Sequence, residues 1–68
     1  MNKDLLKGTI RSCGMAQEVV AAKIGISLSR FNAKINGTNG AEFSLGEVKS
    51  MKRVLRLTPD QFDSIYLQ

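Results

Sequence analysis

The chain has 68 residues, of which 43% are hydrophobic and 24% are charged, and its formal net charge is +4. This length allows one domain, which covers residues 1–68. The apolar fraction argues against disorder. No apolar run is long enough to span a membrane. One cysteine and no histidine exclude an internal disulfide and a plausible zinc site, so we expect neither a metal nor another cofactor. The first ten residues lack the long apolar core of a signal peptide, which favours a cytoplasmic protein. The basic excess favours an anionic partner, and nucleic acid is the first of these.

Two helices are predicted in the first part of the chain, and each is followed by a glycine. Helical spacing of apolar residues predicts a helix over residues 3–13 before Gly14 and a second helix over 17–24 before Gly25. The apolar stripes are Leu6, Ile10 and Cys13 in the first helix and Val20, Ala21 and Ile24 in the second. We expect Cys13 to be a small buried apolar residue rather than a reactive thiol.

A third helix is predicted directly after the turn at Gly25. Ile26 would point inward, and Ser27 is a favourable N-cap for a helix over residues 28–35. Phe31 and Ile35 lie one turn apart and would form its buried face. The Asn-Gly pair that follows is typical of a helix end.

Two capping patterns predict the last two helices. Ser44 and Glu47 have the spacing of a capping box before a helix over residues 45–56. Thr58 followed by proline begins a helix over 59–66. The expected core positions are Leu45, Val48, Met51 or Lys52, Leu55, Phe62 and Ile65. The fold class predicted from these patterns is an all-α bundle of five short helices.

The outward face of the third helix is the strongest functional feature. Two helices joined by a short glycine-containing turn are a helix-turn-helix candidate, and the small Ala21 would let them cross closely. With Phe31 and Ile35 turned inward, the outward residues of the third helix are Leu28, Ser29, Arg30, Asn32, Ala33 and Lys34. These short polar and cationic side chains suit the major groove of DNA.

The segment Met15–Gly37, "MAQEVVAAKIGISLSRFNAKING", resembles the helix-turn-helix of the phage repressor/Cro family, which has the lambda-repressor-like fold. The flanking helices extend the resemblance to nearly the whole chain. More narrowly, the sequence is similar to small phage or prophage regulators of Gram-positive bacteria. The resemblance implies a sequence-specific DNA-binding regulator in the cytoplasm of a bacterial host, associated with the nucleoid.

Roles of individual residues follow from the resemblance and from the outward face together. The residues expected to contact bases are Leu28, Ser29, Arg30 and Asn32. The residues expected to contact phosphate are Gln17, Lys34, Asn36, Thr38 and Asn39. Two positions depart from the family pattern: Ala16 replaces the usual capping Ser or Thr, and Leu28 replaces a long polar side chain.

Each of these residues also has an ordinary structural interpretation. Gln17 is a good helix-start residue, Ser29 is a second capping residue, and Arg30 or Lys34 is a solvated charge. Asn36 is a turn residue. The basic residues of the first helix form a solvated stripe that could flank the DNA backbone: Lys3, Lys7 and Arg11. Those of the fourth helix are expected mainly to form a solvated face: Lys49, Lys52, Arg53 and Arg56.

The expected partner is double-stranded operator DNA, bound by a homodimer, because one helix-turn-helix reads only a few base pairs. The C-terminal segment, with Tyr66 and Leu67, is the first candidate for the dimer surface, although both residues could equally cover the edge of the core. No catalytic motif or phosphate-cradling loop is present, so we expect neither an enzyme nor a small-molecule substrate. The alternative is a protein-interaction module, such as an antirepressor or adaptor, that uses the same helix.

Overall fold

The structure, a computed structural model, describes residues 1–67. Within that range it contains five α-helices, one 3₁₀ turn and no strand. The helices are α1 (Lys3–Ser12), α2 (Gln17–Ile24), α3 (Leu28–Asn36), α4 (Leu45–Val54) and α5 (Pro59–Tyr66), and the 3₁₀ turn is Thr38–Gly40. The prediction of an all-α, five-helix chain is confirmed. No helix among the described residues has the length and apolar character needed to cross a membrane.

The starts of the helices are fixed by side-chain caps. Ser44 and Glu47 form the predicted capping box at α4, and Thr58 and Gln61 form a second one at α5. The Ser27 hydroxyl accepts a hydrogen bond from the Arg30 amide and caps α3. Ala16 makes no side-chain cap at α2, and the absence of such a cap costs about 1 kcal/mol.

Three helix ends differ from the prediction by one or two residues. Helix α1 ends at Ser12 and α4 at Val54, earlier than predicted, whereas α3 continues to Asn36. In α4 the cause is visible: Arg56 adopts a left-handed φ of 52°. The amide of Leu57 then donates to the carbonyl of Lys52 at 3.0 Å, which closes the helix in a Schellman arrangement.

The core is formed by ten buried apolar residues from all five helices and the α4–α5 connection. They are Leu6, Ile10, Val20, Ala21, Phe31, Ile35, Met51, Leu55, Leu57 and Ile65. The prediction of a buried position is wrong for two residues, Leu45 and Cys13. Leu45 is 70% exposed because it is the first residue of α4, where side chains lean beyond the helix end. Cys13 is exposed because α1 has already ended before it, and its thiol donates to the carbonyl of Leu55 at 3.7 Å.

The connection between α2 and α3 sets the position of the third helix. Gly25 has a left-handed φ of 84°, which glycine adopts without a Cβ clash. The amide of Ile26 donates to the carbonyl of Ala21 at 3.0 Å, and Ile26 packs against the core. Ala21 is buried, and α2 packs on both α3 and α4. The turn therefore directs Phe31 and Ile35 inward and leaves the opposite face of α3 exposed.

The end of α5 lies against the start of α1. The amide of Asn2 donates to the carbonyl of Ile65 at 2.7 Å. Tyr66 is half-buried, its hydroxyl donates to Met51 Sδ at 3.6 Å, and burial raises the pKa of this phenol to about 12. Of the two expected C-terminal apolar groups, only Leu67 is largely exposed, at 71%.

Candidate functional site

The N-terminal half of α3 presents the four predicted base-contacting residues on the surface. Leu28, Ser29, Arg30 and Asn32 are all exposed, and Phe31 between them is fully buried. Ser27 holds the capping hydrogen bond of α3, so Ser29 is not needed as a cap. Within residues 1–67 the side chains of Ser29, Arg30 and Asn32 make neither a hydrogen bond nor an ion pair. Their donors and acceptors are therefore available to a partner.

Leu28 is the apolar member of this face. Its side chain is 38% exposed at the first position of α3, so it neither completes the core nor adds a polar contact. A leucine at this position offers apolar contact only, for example to a thymine methyl group or to an apolar protein surface.

Gln17 lies at the start of α2, next to the position without a side-chain cap. It is half-buried, and Ala16 before it supplies no capping oxygen. The N-terminus of a helix carries unpaired amide groups and a partial positive charge, both of which favour an anion. Glu18 in the same turn opposes an anion there.

Lys34, predicted to contact phosphate, forms an ion pair with Glu47 of α4. Its Nζ lies 2.7 Å and 2.8 Å from the two carboxylate oxygens, and the two side chains are only 16% and 15% exposed. The carboxylate also accepts a hydrogen bond from the Ser44 amide as part of the capping box. The Lys34 ammonium and then the Ser44 amide hold the pKa of Glu47 below its ordinary value of 4.5. Because a carboxylate already neutralises Lys34, this lysine is poorly placed to bind a phosphate.

Asn36, at the last position of α3, is bonded to α1. Its Oδ1 accepts a hydrogen bond from Lys7 Nζ at 3.2 Å. Lys7 was not among the predicted site residues. The spacing of cations along α1 placed it only in a solvated stripe that could flank the DNA backbone, and its partner lies 29 residues away in the sequence.

The segment after α3 holds the two other predicted phosphate contacts. Thr38 and Asn39 are exposed in the 3₁₀ turn. Asn39 has a left-handed φ of 53°, a conformation that asparagine adopts more readily than most residues. Phe43 then packs edge-to-face on Phe31, with 5.3 Å between ring centroids, and this contact fixes the segment to the core.

A groove beside this segment brings opposite charges together. It is lined by Lys3, Lys34, Asn36, Glu42, Phe43 and Tyr66, among others. Glu42 is exposed, and sequence reasoning did not single it out. Its carboxylate opposes the approach of a phosphate from the groove side of Asn36.

The basic residues of α4 have a partly structural explanation. Lys52 Nζ lies 5.2 Å from the centroid of the Phe62 ring, within the range of a cation–π contact. Lys49, Arg53 and Arg56 are exposed. The described residues contain no group of three or more side chains able to hold a metal ion.

Comparison with known proteins gives no relative for this chain. No family model matches it, no curated protein matches it, and no solved structure matches it.

Proposed function

We propose that the protein is a sequence-specific double-stranded DNA-binding regulator of the phage repressor/Cro type, in which α2 and α3 form a helix-turn-helix. The single observation that carries the proposal is the N-terminal half of α3. It presents three polar side chains, Ser29, Arg30 and Asn32, that have no partner among residues 1–67. These exposed groups lie on a helix whose opposite face is fully buried.

The dimensions of α3 are compatible with this role. An α-helix with its side chains is about 10–12 Å in diameter, and the major groove is about 12 Å wide. The outward face needs no rearrangement of the core to enter the groove, since Phe31 and Ile35 already point away from it. In this arrangement Asn32 and Arg30 would hydrogen-bond to base edges, and Leu28 would lie against a thymine methyl group.

The phosphate contacts would flank α3 on both sides. Gln17 at the start of α2 would contact the backbone on one side, and Asn36, Thr38 and Asn39, at and after the end of α3, would contact it on the other. Lys34 contributes less than the sequence suggested, because Glu47 already neutralises it. The net charge of +4 supports attraction to DNA as a whole.

The regulator would act as a homodimer in a bacterial cytoplasm and block polymerase at an operator. A dimer on a palindrome places two recognition helices about 34 Å apart. The exposed Leu67 remains a candidate for the dimer surface.

Selection of bound sequences from a random DNA pool tests this function directly. The purified protein should enrich a palindrome with half-sites separated by about one helical turn. Absence of any enrichment at low salt would contradict DNA recognition.

A second candidate function follows from Leu28. An exposed leucine at the start of an otherwise polar face would also suit a protein partner, as in an antirepressor or adaptor. Salt dependence separates the two functions: log K for DNA falls by about 0.9 per phosphate contact for each unit of log salt. An apolar interface centred on Leu28 should respond weakly to salt.

A further inference from the structure

Lys7 of α1 and Asn36 of α3 form a side-chain contact between two helices, at the end of the proposed recognition helix. Lys7 Nζ donates to Asn36 Oδ1 at 3.2 Å. We propose that Lys7 is a positioning residue for DNA binding: it orients the Asn36 amide and supplies a cation beside it, so that the pair receives one phosphate. This inference rests on the proposed function.

The chemistry of the two groups determines the orientation of the amide. An ammonium group can only donate hydrogen bonds, and an asparagine amide has one acceptor oxygen and two N–H donors. Because Lys7 requires an acceptor, Oδ1 faces the lysine, and the Nδ2 group is left to donate elsewhere. A phosphate oxygen is an acceptor only, so it complements this orientation and would be rejected by the opposite one.

The two lysines at this end of α3, Lys34 and Lys7, differ in whether a partner compensates their positive charge. Lys34 is paired with the carboxylate of Glu47, and this is the only ion pair among residues 1–67. Lys7 is paired with a neutral amide, so its positive charge is not compensated by that contact. A hydrogen bond to a neutral group costs the ammonium little of its attraction for a second, anionic acceptor. The phosphate-binding role that the sequence suggested for Lys34 is therefore taken by Lys7, beside Asn36, which was itself predicted to contact phosphate.

This inference can be tested without knowledge of the operator. The measurement is the affinity for a mixed-sequence DNA duplex of about 30 base pairs, determined by fluorescence anisotropy at several salt concentrations. Lys7→Met should weaken binding about tenfold and reduce the salt slope by about 0.9. Lys7→Arg should retain the slope. Lys49→Met removes the same charge from an exposed position on α4 and serves as the matched control, with a smaller effect on both quantities.

Asn36→Asp separates positioning from stability. The aspartate would form an ion pair with Lys7, so the contact between α1 and α3 would be kept or strengthened while the Nδ2 donor is lost. We expect this variant to remain folded by circular dichroism and to bind DNA at least tenfold more weakly. Coupling is tested by the double variant Lys7→Met with Asn36→Ala, which should lose less affinity than the sum of the single losses, in free-energy terms.

The possible failures are distinguishable. If the wild-type protein does not bind the duplex at low salt, the proposed function fails and the inference fails with it. If the wild type binds but Lys7→Met matches Lys49→Met, or Asn36→Asp binds as tightly as the wild type, only the role of Lys7 and Asn36 is overturned.

Discussion

The two halves of α3 differ in what their polar side chains do. In the N-terminal half, Ser29, Arg30 and Asn32 are exposed and form no hydrogen bond or ion pair with residues 1–67. In the C-terminal half, Lys34 is paired with α4 and Asn36 is bonded to α1. The C-terminal half therefore fastens the helix to the bundle, and the N-terminal half carries groups that folding does not require. Substitution of Asn32 in the N-terminal half and of Glu47, the partner of Lys34, should therefore separate DNA binding from stability.

The largest expected effect comes from the buried face that both halves share. Phe31 is fully buried and contacts Phe43, so Phe31→Ala should cost about 3–5 kcal/mol. A domain of this size has only a few kcal/mol of stability, and we expect the variant to be largely unfolded by circular dichroism at 25 °C. Phe31→Leu should lose less, since it leaves a smaller cavity. A cooperative thermal transition of Phe31→Ala close to that of the wild type would show that α3 is not held by this face.

The next effect belongs to the N-terminal half. Asn32→Ala should cost about 1–3 kcal/mol of binding free energy on the selected DNA site and relax the preference at one base pair. Its free energy of unfolding should change by no more than about 0.5 kcal/mol, because the side chain has no partner within residues 1–67. Titration of the selected duplex and of duplexes altered at single positions measures the first quantity, and urea unfolding measures the second. A folded variant that keeps both its affinity and its base preference would contradict groove reading by α3.

The ion pair between Lys34, in the C-terminal half of α3, and Glu47 of α4 should affect stability rather than base preference. Glu47→Gln keeps an acceptor for the capping box but removes the ion pair with Lys34, so we expect a loss of about 1 kcal/mol at pH 7. Because the folded-state pKa of Glu47 lies below 4.5, its contribution is complete above that pH and disappears as the pH falls through the folded-state value. Urea unfolding of both proteins from pH 7 to pH 3 should therefore show converging stabilities. If the difference in free energy of unfolding between the two proteins stays constant across this pH range, the charge of Glu47 does not contribute to stability.

Local features of the fold were readable from the sequence because they depend on neighbouring residues. The caps at Ser27, Ser44 and Thr58 each need an acceptor and an amide three residues apart, and the turn at Gly25 needs a residue that tolerates positive φ. The expectation for Leu45 was wrong because periodicity gives the direction of a side chain and not whether another helix lies there to cover it. Cys13 was misplaced for a similar reason: the helical stripe continued in the sequence after the helix had ended.

The contacts that distinguish the two halves of α3 could not be read in this way. Lys34 and Glu47 are 13 residues apart, and Lys7 and Asn36 are 29 residues apart. Whether they meet depends on how α1 and α4 cross α3. Outward position on α3 predicted a DNA contact for both Lys34 and Arg30. Only the position of α4 shows that one of these two cations already has a carboxylate.

The smallest effect concerns Glu42, which lines the same groove as Asn36. If the C-terminal end of α3 receives a phosphate, this carboxylate repels it. Two unit charges about 10 Å apart in water interact by about 0.4 kcal/mol, so Glu42→Gln should tighten binding to a mixed-sequence duplex about twofold at low salt. The gain should shrink as salt is raised and the charges are screened. Asp60→Asn, at an exposed position in the first turn of α5, removes the same charge and provides the control. If both substitutions tighten binding equally, the gain comes from net charge alone, and the phosphate does not approach the end of α3 where Lys7 and Asn36 meet.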